Sequence, residues 1–209
     1  MALGTPLLVS AAALAALALP DAAPDATPSA APHRAEPVAA VTPACRGRLS
    51  PSASSARFLV DVRLPLRAEG RFTDISGELL PGHDGGCEVH VRLRADTVAY
   101  EGPDWMADLT RSPAFLDADA HPEVAFDAQA FPATWLADGG PIRGRLRLRG
   151  RERPVEFALR PAACPRPGAD CPIVVVGEVN RRDFGMQAYR FTVRDAVRFE
   201  FRIRLETAR

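Results

Sequence analysis

The side chains that could do chemistry in this 209-residue chain are few and far apart. Cys45, Cys87, Cys164 and Cys171 form no CxxC pair and stand near no histidine cluster, so a zinc site is not expected. His33, His83, His90 and His121 share no metal-ligand spacing. Asp117 and Asp119 beside His121 could make an acid–base group, yet aspartate at a junction between elements is an ordinary turn former. Ser50, Ser52, Ser54 and Ser55 lie in a flexible stretch, and no G-x-S-x-G elbow exists. All 26 residues of the Lys+Arg total are arginine, which excludes a Schiff-base lysine, a phosphate-loop lysine and a Ser–Lys dyad. These residues support a binding protein rather than an enzyme.

What remains must be positioned by the rest of the chain. A composition 47% hydrophobic and 25% charged supports one core of ordinary size, and 26 basic against 26 acidic residues leave no field to collect nucleic acid. Residues 1–19 are rich in Leu and Ala and end at Pro20-Asp21. They predict a signal peptide with a small-x-small cleavage site at Ala16-Leu17-Ala18. The stretch lacks a basic residue before its apolar run, and an uncleaved membrane anchor is the alternative. Residues 20–44, made of Ala, Pro, Thr and Ser, cannot bury enough surface to offset their ordering entropy and predict a disordered tether. Residues 45–209 form the folded domain, expected to be periplasmic or secreted. In such an oxidising compartment Cys164 and Cys171, which flank the turn-rich Pro165–Asp170, should bridge. By elimination Cys45 would pair with Cys87, although strict hairpin alternation could leave those two at opposite ends of a barrel.

From Cys45 onward the apolar period is two. Phe58, Val60 and Val62 alternate with polar neighbours, as do Val89, Val91 and Leu93. In Ile142–Arg149 arginine takes every second place. Val155, Phe157 and Leu159, then Val174 and Val176, then Val197, Phe199, Phe201 and Ile203, continue the pattern. About eight such runs, punctuated by Gly- and Pro-rich turns, predict an all-β sandwich or closed barrel with one face of each strand buried. Residues Pro103–Asp119 break the period, and Trp105, Met106 and Leu109 predict a short inserted helix covering one end.

Several of these segments, taken in order, resemble the YceI-like family: Gly70-Arg71-Phe72 with Ile75–Leu79, Leu109–Asp117, His121–Phe126, Gly144–Gly150, and Arg181-Arg182-Asp183-Phe184-Gly185. His121 stands where that family commonly has Tyr, Leu116 where it often has Phe, and the four cysteines are outside its usual pattern. The resemblance implies an eight-stranded antiparallel lipocalin-like barrel enclosing a long apolar isoprenoid lipid of polyprenyl phosphate or quinone type, and no other cofactor.

On that basis the expected lipid-binding residues are Phe58, Val60, Phe72, Val91, Trp105, Met106, Phe126, Leu146, Phe157 and Val176. The alternative is that they are simply a packed core of a structural or interaction barrel. Arg111 and Arg182 could hold an anionic head group, because a guanidinium fork matches phosphate geometry; an ion pair of Arg182 with Asp183 or Asp117 is the plainer alternative. A homodimer is open. An outer-membrane barrel is disfavoured, since arginine at 143, 145, 147 and 149 would face lipid.

Overall fold

The computed structural model describes residues 45–63, 67–82 and 85–206. The expected signal peptide and tether, together with Leu64 and His83, lie outside them. The domain is mostly strand. In chain order it comprises β1 (Gly47–Arg48), β2 (Ser55–Val62), β3 (Arg67–Phe72), β4 (Ile75–Pro81), β5 (Gly86–Arg94), β6 (Val98–Tyr100), helix α1 (Asp104–Arg111), β7 (Glu123–Ala128), β8 (Phe131–Pro132), a short helix α2 (Trp135–Asp138), β9 (Gly140–Leu148), β10 (Arg151–Leu159), β11 (Ile173–Asn180) and β12 (Val193–Ile203). All strands pair antiparallel in one curled sheet, ordered β1-β4-β5-β7-β9-β10-β11-β12-β2-β3-β6, with β8 on β5.

Twelve strands replace the expected eight, and corners account for much of the difference. β3 runs into β4 through Thr73-Asp74, and β5 runs into β6 through a 3-10 turn at Ala95–Thr97. Thr73 N donates to Thr97 O at 3.3 Å and Arg94 N to Asp74 O at 3.2 Å, so the ladder continues past the bend. One long hairpin is thereby counted as two pairs. The β9–β10 hairpin shows the local logic of a tight turn. Leu148 pairs directly with Arg151, and the two residues between them, Arg149 and Gly150, have φ of 50° and 65°, as a two-residue turn matching strand twist requires.

The two ends of the barrel are built differently. At one end β1 pairs with β4, and Leu49 bridges to Leu205 beyond β12, which closes a cylinder of β1, β4, β5, β7, β9, β10, β11 and β12. We call this the closed half. At the other end β6 pairs only with β3, and β10 and β11 meet only at Ala158–Leu159 and Val175–Val176 before diverging. There α1 and residues 181–192 complete the wall. This is the mouth half.

Both disulfides form. Cys45 bonds to Cys87 and Cys164 to Cys171, with Cα separations of 5.2 and 6.0 Å. Cys45 reaches Cys87 because β1 lies on β4, whose last residue, Pro81, is paired with Cys87. The outer face carries cross-strand ion pairs, including Arg143–Glu156 at 2.7 Å, Arg145–Glu152 at 2.8 Å and Arg147–Glu123 at 2.6 Å. Among the described residues no helix is long and apolar enough to cross a membrane.

Candidate functional site

The mouth half encloses a cavity of ≈ 280 Å³. Alternation on β2 and β12 points Phe58, Val60, Val62, Val193, Val197 and Phe199 into it, and β3 contributes Ala68 and Phe72. Helix α1 lays Trp105, Met106, Leu109 and Thr110 along the opposite side. The helix begins after Pro103 and carries Asp104 in its first turn and Arg111 in its last, each favourable to the helix dipole. Trp105 and Tyr189 are 61% and 52% exposed while also lining the cavity, so the cavity meets the surface at these residues. Phe191, two residues after Tyr189, is likewise exposed.

Away from the exposed Trp105 and Tyr189, the side-chain polar groups in this lining are already partnered. Thr110 Oγ1 donates to Met106 O at 2.8 Å, so the 2.9 Å contact with Tyr100 is donated by the phenol. Burial pushes the Tyr100 phenol above the usual tyrosine range. Arg181 is the one buried charged residue among those described, 1% exposed. Its Nε donates to Arg194 O at 3.1 Å, Nη1 to Met186 O at 2.8 Å and Ala188 O at 2.7 Å, and Nη2 to Val193 O at 3.1 Å. Burial lowers the guanidinium's pKa, and Asp195, 3.3 Å from Nη2, works against that. A guanidinium so committed to carbonyls is a clamp. It fixes the 186–194 segment, which supplies Met186, Tyr189 and Val193 to the cavity wall. Its Cζ lies over the Phe115 ring, 5.9 Å from the ring centroid, and Phe115 in turn stacks on Tyr189.

Of the residues expected to contact lipid, Phe58, Val60, Phe72, Trp105 and Met106 come together around this cavity. Val91, Phe126, Leu146 and Phe157 do not. They surround two smaller voids, of ≈ 10 and ≈ 50 Å³, deeper in the barrel. Val176 faces outward, paired with Glu200 and Ala158, because the inward parity of β11 runs through Ile173, Val175, Gly177 and Val179.

Arg111 and Arg182 are absent from the cavity wall. Arg111 binds Asp108 at 2.6 Å and Val98 O at 3.3 Å, tying α1 to β6. Arg182 pairs with Asp195 at 3.4 Å and Gln187 at 3.2 Å, rather than with Asp183 or Asp117. Arg181 is the arginine that faces inward, two residues beyond inward Val179 on the same strand parity. Elsewhere, His90 Nδ1 contacts Asp127 at 2.7 Å on the outer face, with Arg92 2.8 Å from the same carboxylate oxygen. Among the described residues no group of three or more His, Cys, Asp or Glu is placed to hold a metal ion.

Fold and cavity together define a lipocalin-like antiparallel barrel, hollow and apolar at one end. Residues 48–205 match the YceI-like domain, and the chain belongs to that family. No curated protein matches the sequence. Among solved structures it is similar to Burkholderia cenocepacia BcnA, with a TM-score of 0.61 at 16% identity over 74% of this chain and 98% of that one. A polyisoprenoid-binding domain from Saccharophagus degradans, implicated in plant cell wall breakdown, aligns with a TM-score of 0.56 at 14% identity over 75% of this chain and 95% of its own. The Campylobacter jejuni YceI protein gives 0.55 at 14% identity, covering 66% and 85%. At these identities the likeness is one of fold.

Proposed function

We propose that this protein is an exported carrier or scavenger that holds the isoprenoid chain of a lipid, of polyprenyl phosphate or quinone type, in the mouth-half cavity. The observation that carries this reading is a carbon-lined space of ≈ 280 Å³ that reaches the surface at Trp105 and Tyr189. An apolar space of this size, with its polar groups satisfied from within, favours hydrocarbon over water or a charged ligand. The head group then stays outside. Four of the five N–H groups of Arg181 are donated to carbonyls and the guanidinium faces Asp195, so an anionic head entering the cavity would have to displace them. Family membership and the Saccharophagus domain, described as polyisoprenoid-binding, support the lipid class. Two disulfides support export, since such bonds persist in oxidising compartments.

The test is mass spectrometry of lipids extracted from protein purified out of its native host. An isoprenoid in near-stoichiometric amount is the expected result. A reproducibly lipid-free protein that also fails to take up prenyl alcohols would favour a purely structural or interaction barrel.

A further inference from the structure

The cavity ends on phenylalanine. Phe199 lines it and also lines the ≈ 10 Å³ void, whose walls include Phe126, Phe157 and Phe201. Those three line the ≈ 50 Å³ void of the closed half in turn. The three spaces therefore lie in series with rings between them. The ring centroids are 6.0 Å apart for Phe199 and Phe201, 6.0 Å for Phe157 and Phe201, and 5.1 Å for Phe126 and Phe157.

Glycines make this arrangement possible. Gly144 lies against Phe126, where an added Cβ would come 2.7 Å from the ring, and a Cβ on Gly177 would collide with the ring of Phe157. Each of these two rings thus packs against a neighbouring strand at a glycine, where a side chain would exclude it.

We propose that Phe126, Phe157, Phe199 and Phe201 form a floor that limits how much lipid chain the barrel encloses. The isoprenoid identity of the chain rests on the function proposed above; the length limit rests on the voids alone. At a share of roughly 30 Å³ per small heavy-atom group, taken from the volume of a water, the cavity has room for about nine carbons, or about two isoprene units. The ligand class is a short prenyl chain, or the terminal two units of a longer one whose remainder leaves at Trp105 and Tyr189. Carbons beyond the floor's limit stay in water and add little affinity.

The experiment titrates the full chain with geraniol, farnesol and geranylgeraniol, and in parallel with decanol, tetradecanol and octadecanol, by calorimetry. For the unaltered protein, affinity should rise to geraniol or farnesol and then level off. In Phe199→Ala, which opens the cavity into the ≈ 10 Å³ void beyond it, affinity should go on rising, by roughly tenfold at geranylgeraniol relative to the unaltered protein. Phe199→Leu, less disruptive to folding, should show a smaller rise in the same direction, and near-UV circular dichroism reports whether each variant is folded. If neither folds, the plateau of the unaltered protein decides alone. Affinity climbing without a plateau in the unaltered protein, or an unmoved plateau in a folded floor variant, overturns the floor. Linear alcohols that level off while prenyl alcohols fail to bind would leave the floor standing and overturn the isoprenoid reading. Binding of neither series overturns both.

Discussion

The closed half and the mouth half share β9, β11 and β12 and the same inward apolar alternation, yet one is nearly filled and the other hollow. In the closed half, the ladder from β4 through β1 to Leu205 draws the wall into a full cylinder, and Leu79, Phe131, Leu136, Ile142, Phe157, Leu159 and Ile203 meet across it, each at most 6% exposed. In the mouth half the wall is interrupted where β10 leaves β11, and a helix plus an arginine-clamped segment stand in for strands. Inward side chains there line a space that no opposing strand fills. Burial pattern alone therefore says which residues face in, while the closure of the hydrogen-bond ladder decides whether they touch.

Substitutions that change bulk should separate the halves most strongly. Phe157→Ala, in the closed half, should cost about 3–5 kcal/mol in chemical denaturation, as large-to-small changes at packed aromatic sites do. Loss of the Cys45–Cys87 bridge should cost about 4 kcal/mol, whereas loss of Cys164–Cys171 should cost about 2.5 kcal/mol, because the loops they close span 42 and 7 residues. Paired Cys→Ala variants read by urea midpoint check that ordering, and equal losses would contradict the loop-length account.

Adding bulk tests the same contrast at a finer scale. Val91→Phe, whose side chain borders the small voids, should destabilise by about 1–3 kcal/mol through overpacking. Val60→Phe, at the cavity wall, should leave stability within about 0.5 kcal/mol and still reduce uptake of a prenyl alcohol. Equal destabilisation at the two sites would mean the halves are packed alike.

The smallest effect should come from the outer face. Partial burial pushes the Asp127 carboxyl up, but hydrogen bonds from His90 and Arg92 outweigh it and hold the pKa below the usual aspartate range. A carboxyl depressed by folding stabilises above its unfolded pKa of about 3.9, and that contribution fades as pH falls through the lower folded value. Asp127→Asn should therefore flatten a shallow part of the acid limb of the stability curve and leave the neutral region slightly lower. A variant matching the parent's acid profile would show that this cluster does not couple to folding.

Much of the wall was legible in the sequence, since strict alternation in β9 and β12 assigns each residue a side without ambiguity. The failures have local causes. In β11 four apolar residues in succession, Ile173–Val176, carry no phase, and the inward Gly177 hides the parity that would have turned Val176 outward. At the corner between Phe72 and Ile75 the chain changes direction without leaving its ladder, so strand number cannot be counted from apolar runs. Arg181 was overlooked in favour of Arg182 because a buried arginine is recognised by the carbonyls converging on it, and those come from residues 186–194, folded back around it. The division into hollow and filled halves depends on pairing between residues distant in sequence, and no local pattern records it.

That distant pairing also sets a schedule for self-assembly. Ser54 and Arg204, 150 positions apart, exchange two hydrogen bonds, Ser54 Oγ donating to Arg204 O at 3.2 Å and accepting from Arg204 N at 3.0 Å. A cylinder sealed by its first and last strands completes its wall only through long-range contacts, and topologies dominated by such contacts reach the native state slowly. A chain threading through a membrane pore from its N-terminus would hold β1 unpaired on one side until the final residues emerged, exposing a free strand edge of the kind that holdase chaperones shield.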